Sequence, residues 1–410
     1  MAGERKKTDA CINRILSDDL LVEILHRIPC ESAFRCKSVC KKWQNLISSP
    51  NFIKCFTRRR RSDHRKKIRE GGAVVKCIFN HMFVIPSDYK QQFSFDFLPF
   101  FSSIQENPTR FIAGSCKGVF LCTADLKIQD QTVYYVCSPI TKRWIALPPP
   151  PPLFESDESV HIYLGLAVTG FSSSKAKFKV VRVLPPVTGE KELSSFTVDV
   201  FSSKTGKWAR LTTGTSPKSF TWYHTRTPAI YYRGLLHWHG TLDNQIVVYD
   251  LSKNSFVFII DPPGDFEKYS QFLPVLSGGY FYVCQLEDLT LKMWQLNYLN
   301  NKQQPEWRLK CEFLLHQYIC HGRRWIDDVF IDDVLTIHPY DHNILYLRAG
   351  PIRCFTANKY EKQYVVTCNL RTKTLNLEYE SENDLIHCAT ATYTMGLRMW
   401  PPPISPAARP

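Results

Sequence analysis

The chain has 410 residues, with 52 Lys and Arg against 38 Asp and Glu (net charge +14), and is 44% hydrophobic and 13% aromatic. This composition excludes a disordered chain, and the length exceeds one ordinary core, so two or more units, or one unit and a repeat array, are expected. No run of eighteen apolar residues occurs and residues 1–11 are polar, so the reading is a soluble chain of the nucleus, the cytoplasm or both, without a membrane partner.

The fifteen cysteines include no Cys-x-x-Cys, and several stand singly on apolar segments (Cys77, Cys122, Cys137, Cys284, Cys368). That pattern fits a reducing compartment, where cysteine serves as a small hydrophobe. Positive charge is concentrated early. Lys54 to Arg69 hold nine basic residues and one acid, a contribution of +8, and residues 1–53 carry +3. Only +3 remains for the 341 residues from Glu70 onward, so a basic face on the large domain is not expected and nucleic acid is disfavoured as a partner.

In chain order, a polar tail (1–11) precedes a helical stretch, LSDDLLVEILHRIPCESAFRCKSVCKKWQNLISSPNF, from Leu16 to Phe52. Ser17 can accept a backbone N–H at a helix start, and Asp18 and Asp19 place negative charge on the first turn. Leu20, Leu21, Ile24, Leu25 and Ile28 then form one apolar stripe that ends before Pro29. A second run (Ala33, Phe34, Cys36, Val39) and a third (Val39, Trp43, Leu46, Ile47) follow before Pro50. Three helices in fewer than forty residues cannot bury a sufficient core alone, so a partner surface is expected.

This stretch resembles an F-box. Leu16, Asp19, Leu20, Leu21, Glu23, Ile24, Leu25, Ile28, Pro29, Val39, Cys40, Lys41, Trp43, Leu46, Ile47, Pro50 and Phe52 match the family pattern in register. The resemblance implies docking on the Skp-family adaptor of a cullin-RING ubiquitin ligase. It implies adaptor contacts at Leu16, Leu20, Leu21, Ile24, Leu25, Ile28, Pro29, Val39, Cys40, Trp43, Leu46 and Ile47. One position departs: Ser17 stands where the family has its first proline, a residue that touches the adaptor. The F-box is bounded at 12–53. The basic run that follows, 54–70, reads as a solvated linker, with a nuclear-import signal and a phosphate-binding patch as the alternatives.

From Gly71 the grammar changes to short strands and turns with an internal repeat. In VCSPITKRW, VFSSKTGKW, VYDLSKNSF and TCNLRTKTL, Ser138, Ser202, Asp250 or Asn369 is followed three residues later by Thr141, Thr205, Lys253 or Thr372. Three residues further on stands Trp144, Trp208, Phe256 or Leu375. The spacing predicts a tight hairpin, in which the polar residue caps the turn and the large apolar one opens the returning strand. A fifth unit with Trp294, Asn297 and Trp307 shares the ends with a longer turn. Small-residue turns at Lys117-Gly118, Arg233-Gly234 and Gly278-Gly279 precede three of these units, giving about four strands each. Blades are expected at 111–148, 161–211, 229–260, 273–315 and 333–378, with a sixth closed by Val74–Phe97 and His387–Tyr393.

This region, taken as 71–400 with a proline-rich tail at 401–410, is similar to the F-box-associated, kelch-like repeat domain of the large plant F-box families. The resemblance rests on Phe93 to Phe100, on Ser138-Pro139-Ile140-Thr141 followed by Leu147-Pro148, and on Ile337-His338-Pro339-Tyr340-Asp341. The fold class is therefore α+β multidomain, a three-helix F-box followed by an all-β propeller of six blades.

No phosphate loop, dinucleotide fingerprint, nucleophile elbow or His-Glu-x-x-His occurs, so no catalytic residue and no cofactor are assigned. His237 and His239 flank Trp238, and Cys311, His316, Cys320 and His321 cluster in sequence; both read as packing, and no metal is assigned. Asp327, Asp328, Asp332 and Asp333 read as a solvated loop with local ion pairs, against a surface for a basic partner segment or a cation site. The run Pro148 to Pro152 reads as a stiff exit from a blade. Trp222, Tyr223, His224 and Arg226, and Arg323, Arg324 and Trp325, fall between blades and are the candidate contacts for a protein target.

The function expected from all this is a non-catalytic substrate receptor of an SCF-type ubiquitin ligase, with the adaptor, the cullin through it, and an unidentified protein target as partners. The alternative is an F-box scaffold, with the nucleus as one location for it, that binds the adaptor without assembling a ligase.

Overall fold

The computed structural model describes residues 15–28, 30–49, 51–53, 55–56, 71–77, 82–85, 95, 97–99, 110–126, 131–139, 141–152, 162–171, 176–184, 196–213, 229–239, 244–264, 272–299, 304–315, 319–320, 329–351, 363–381 and 389–396. The chain divides into two compact units, one within 1–70 and one spanning 71–396.

In the first unit, α1 (Asp18–Arg27), α2 (Cys30–Arg35), a 3-10 turn (Cys36–Ser38) and α3 (Lys41–Ser48) follow one another. Ser17 caps α1 as its residue type requires, its Oγ accepting the Leu20 N–H at 3.3 Å. Leu21, Leu25, Ala33, Ile47, Phe52 and Phe56 form the core, and the buried His26 ring stacks on Phe52 with centroids 4.6 Å apart. Phe56, fully buried, lies three residues past the limit drawn at 53.

The second unit opens with β1 (Gly71–Cys77) and β2 (Met82–Ile85). Blade 1 is β3 (Arg110–Cys116), β4 (Val119–Leu126), β5 (Gln131–Ser138) and β6 (Arg143–Ala146). Blade 2 is β7 (Tyr163–Phe171), β8 (Ala176–Leu184), β9 (Phe196–Ser202) and β10 (Lys207–Thr213). Blade 3 is β11 (Ile230–Tyr232), β12 (Leu235–His239), β13 (Ile246–Asp250) and β14 (Ser255–Ile260). Blade 4 is β15 (Leu273–Ser277), β16 (Tyr280–Glu287), β17 (Thr290–Leu299) and β18 (Gln304–Leu314). Blade 5 is β20 (Val329–Ile337), β21 (Ile344–Pro351), β22 (Gln363–Asn369) and β23 (Thr374–Ser381), with β19 (Ile319–Cys320) added in parallel outside β23.

Each blade is an antiparallel meander, and β3, β7, β11, β15 and β20, its first strands, pack against one another in sequence. The ring is sealed by β24 (Ala389–Gly396), which lies between β20 and β3 and pairs with β1 in the register Val74↔Tyr393. The two ends of the unit thus close on each other as the sequence implies. Yet among the described residues the closing sheet has three strands, β2-β1-β24, so the described strands make five full blades and a smaller sixth sheet where six blades were expected. Apolar side chains fill the spaces between neighbouring blades in separate clusters, for example Leu236 and Trp238 of blade 3 with Ala167 and Val181 of blade 2.

The repeated polar residue ends the third strand of its blade, and at Asp250 and Asn369 its side chain caps the turn that follows in the same way. Asp250 Oδ1 accepts the Ser252 and Lys253 N–H groups at 2.7 and 3.3 Å; Asn369 Oδ1 accepts those of Arg371 and Thr372 at 3.0 and 3.2 Å. Burial alone would raise the Asp250 carboxyl, but its hydrogen bonds to Ser252 and Lys253 together hold it below the usual value. Four residues after each cap stands a left-handed residue: Lys142 (φ 52), Gly206 (φ 70), Asn254 (φ 53) and Lys373 (φ 54).

Ser138 differs. Its buried Oγ has no hydrogen-bond partner among the described residues, and the turn is held instead by the Thr141 hydroxyl donating to the Ser138 carbonyl at 3.4 Å. Asn297 is no cap either, since it sits inside β17 paired with Glu306. Asp250→Ala is therefore expected to cost about 1–2 kcal/mol, while Ser138→Ala stays within about 0.5 kcal/mol, both read by denaturant unfolding. Equal costs would show that the Ser138 hydroxyl also caps.

The proline run is fastened to blade 2. Pro148 accepts from Trp208 Nε1 at 2.8 Å, and Pro152 and Pro151 accept from Arg210 at 2.8 and 3.3 Å. Arg182 adds a longer bond to the Pro151 carbonyl at 3.4 Å. Behind these carbonyls Asp199, fully buried, lies between Arg210 (2.8 Å) and Arg182 (3.5 Å). The stiff exit from blade 1 is thus a strut held by a buried ion network.

Candidate interaction surfaces

Helix α1 carries two apolar rows where the sequence suggests one stripe. Leu21 and Leu25 point inward, 2% and 1% exposed, whereas Leu20 and Ile24, one turn apart, are 55% and 46% exposed. A helix turns about 100° per residue, so neighbours such as Leu20 and Leu21 cannot share one contact line. Val39 is exposed as well, and Leu16, Ile28, Cys40, Trp43 and Leu46 are half-buried. Leu21, Leu25 and Ile47, expected among the adaptor contacts, are buried in the core of the helical unit. Pro29 lies outside the described residues.

Exposed apolar surface of this kind is concentrated in the helical unit. Of nine large hydrophobic residues that stand well exposed among the described residues, Ile15, Leu20, Ile24 and Val39 belong to it, although it is a small fraction of the chain. The rim is charged, with Lys42 to Asp18 at 2.7 Å and Arg27 to Glu23 at 3.0 Å. An apolar row inside a polar border is the layout of a protein contact.

On the propeller, Trp222, Tyr223, His224, Arg226, Arg323, Arg324 and Trp325 lie outside the described residues, as do His316, His321, Asp327 and Asp328. Asp333 pairs with Arg348 at 3.2 Å between β20 and β21. The motif His338 to Asp341 is a turn: His338 Nδ1 accepts the Tyr340 and Asp341 N–H groups at 3.3 and 3.2 Å. The same turn ties blade 5 to blade 4 through Ser277 Oγ donating to the His338 carbonyl at 2.6 Å and Gly278 N–H to the Pro339 carbonyl at 2.9 Å.

The histidine pair is absorbed by packing. His237 Nδ1 lies 3.2 Å from the Ile230 carbonyl, which can only accept, so Nε2 accepts the Tyr298 hydroxyl proton. His239 Nε2 is 3.4 Å from Asn244 Oδ1, and its ring stacks on Phe272 at 4.9 Å. Trp238 points the other way and donates to the Leu164 carbonyl at 3.1 Å. Among the described residues no three His, Cys, Asp or Glu side chains converge as metal ligands. Buried thiols are pushed up by desolvation, Cys116 to about 11 and Cys368 to about 12, which suits packing and not nucleophilic work.

Burial pushes both His237 and His239 down to about 4. They stay neutral in the fold but take a proton at the ordinary value, about 6.5, once unfolded. The stability they contribute is therefore whole above that value and lost as pH falls toward 4, by about 3 kcal/mol for each. His239→Gln is expected to flatten the fall in melting temperature between pH 7 and pH 4.5. An unchanged pH slope would contradict the buried neutral state.

An apolar helical surface on one unit and a sealed ring of antiparallel blades on the other define the class: F-box proteins with a β-propeller. A family model described as "F-box protein At3g26010-like, beta-propeller" matches residues 90–397, and one described as "F-box domain" matches 15–55. The chain belongs to this F-box β-propeller family. It is 27% identical to "F-box protein At5g49610" of Arabidopsis thaliana, over 69% of this chain and 75% of that protein. It is 25% identical to "F-box protein At3g26010", over 91% and 81%, and 22% identical to "Putative F-box/kelch-repeat protein At1g15680", over 97% of each, both of the same plant. Among the described residues no helix is long and apolar enough to cross a membrane.

Proposed function

We propose that this chain is the substrate-recognition subunit of an SCF-type ubiquitin ligase. The helical unit docks on an Skp-family adaptor through Leu20, Ile24 and Val39, with the half-buried Leu16, Ile28, Trp43 and Leu46 as its border. The propeller presents the protein target, and the ubiquitin chemistry belongs to other subunits. The observation that carries this reading is the outward Leu20–Ile24 row: an F-box whose core is complete without it leaves that row for another protein. Its membership of the F-box β-propeller family supports the same division of labour.

Co-expression of the full chain with an Skp adaptor and a cullin, followed by affinity recovery and gel filtration, tests the proposal. Recovery of both partners in one peak is expected. Recovery of the adaptor without cullin would favour a scaffold that assembles no ligase.

A further inference from the structure

The near neutrality of the propeller hides a cluster of basic turns that the connectivity gathers at one end. Residues 71–410 carry 34 Lys and Arg against 30 Asp and Glu. In an antiparallel blade the turn after the first strand and the turn after the third emerge at the same end. Bonds between blades align these ends around the ring: Lys117 Nζ reaches the Val168 carbonyl at 3.0 Å, Lys179 Nζ the Leu251 carbonyl at 2.8 Å, and Gly278 the Pro339 carbonyl at 2.9 Å.

The turns at this end are basic. The third turns present exposed Lys142 and Arg143 in blade 1, Lys204 and Lys207 in blade 2, Lys253 in blade 3, and Arg371 and Lys373 in blade 5. The first turns add exposed Lys117 and Arg233. Two acids stand among these turns, and both are engaged: Asp250 caps its own turn, and Asp341 takes the Asn343 side chain at 2.7 Å and Arg371 at 3.4 Å. At the other end, the tight turn between β16 and β17 carries Glu287 and Asp288.

We propose that the end of the propeller formed by the first and third turns is a docking surface for an extended peptide segment rich in Asp and Glu. The inference rests on the receptor reading above and names its target class. Cations spread over four blades on short, hydrogen-bonded turns form a broad, preorganised positive field, which attracts an acidic chain without a deep pocket. Nucleic acid is the poorer fit. The described turns offer no helix or ribbon to enter a groove, and Tyr280 is the one well-exposed large aromatic residue among them, so the described turns hold no stacking row.

Fluorescence anisotropy on the full chain tests this with three labelled probes: a twelve-residue Glu/Gly peptide, its Gln/Gly counterpart and a twenty-nucleotide single-stranded oligothymidine. The Glu/Gly peptide is expected to bind and the Gln/Gly peptide not to. Lys204→Glu, Lys207→Glu and Lys253→Glu together should weaken binding about tenfold or more, whereas Gln in place of Arg58, Arg59, Arg60 and Arg61 should change it less than about threefold. No binding of the Glu/Gly peptide, equal binding by the triple variant, or loss only in the Arg58–Arg61 variant would overturn the proposal. So would tighter binding of the oligonucleotide at the same ionic strength. Adaptor recovery, measured on the same proteins, is expected to be unchanged in the triple variant. Its failure in the wild type would count against the receptor reading, leaving the peptide result to stand or fall by itself.

Discussion

Asp199→Asn is expected to destabilise the propeller by about 3–5 kcal/mol, among the largest effects of any single change in the chain. Asp199 is fully buried and stands directly opposite two arginines in the strand register, Arg182 on β8 and Arg210 on β10. Removing its charge leaves two guanidinium groups facing each other, one of them sealed from water. The Pro151 and Pro152 carbonyls can solvate them partially but cannot neutralise them. The same change should loosen the strut from blade 1, so hydrogen exchange of the Leu147 N–H, which donates to the Tyr134 carbonyl at 2.8 Å, is expected to accelerate along with the drop in melting temperature. Arg210→Met, which leaves Asp199 its contact with Arg182, should cost less. A loss below about 1 kcal/mol for Asp199→Asn would mean that water reaches the cluster.

The second large effect is expected at Gly165, on the first strand of blade 2. A Cβ there would lie 2.9 Å from Trp238 Cζ2, 3.0 Å from Leu236 Cδ1 and 3.2 Å from Ala229 Cβ. Leu236 can give way at its tip, but Trp238 is 1% exposed and pinned by its bond to the Leu164 carbonyl. Gly165→Ala must therefore move an indole ring or push neighbouring blades apart, at a cost of about 1–3 kcal/mol. Gly165→Val should cost more. In a double-mutant cycle with Trp238→Phe, the pair is expected to lose less than the sum of the single losses, because the smaller ring vacates the clash. Strict additivity would place the strain elsewhere.

Much of this architecture was legible in the residues. The cap, the Thr or Lys three positions later and the apolar residue at six mark the third turn of four blades, because a capped turn and an inward-facing strand start both leave local signals. What escaped is what depends on register or on neighbours. The left-handed residues at Lys142 and Lys373, and the Asp288-Leu289 turn (φ 45 and 61), carry no glycine to announce them. The Arg182, Asp199 and Arg210 row spans three strands and becomes a cluster only once the pairing is known. Periodicity groups Leu20 with Leu21, and only the packed core separates the row that faces inward from the row that does not. The small net charge likewise conceals the basic turns gathered at one end, since a sum over residues carries no direction.

The most direct measurement is calorimetric titration of the purified adaptor into the full chain, comparing wild type with Leu20→Asp/Ile24→Asp. Because both side chains are exposed, the variant is expected to keep its melting temperature, while its adaptor affinity falls by several kcal/mol, the cost of burying carboxylates in an apolar contact. Leu25→Ala, which hollows the core, should instead lower stability by about 2–5 kcal/mol. Adaptor binding that survives the outward pair unchanged, with the fold intact, would contradict the assignment of this surface.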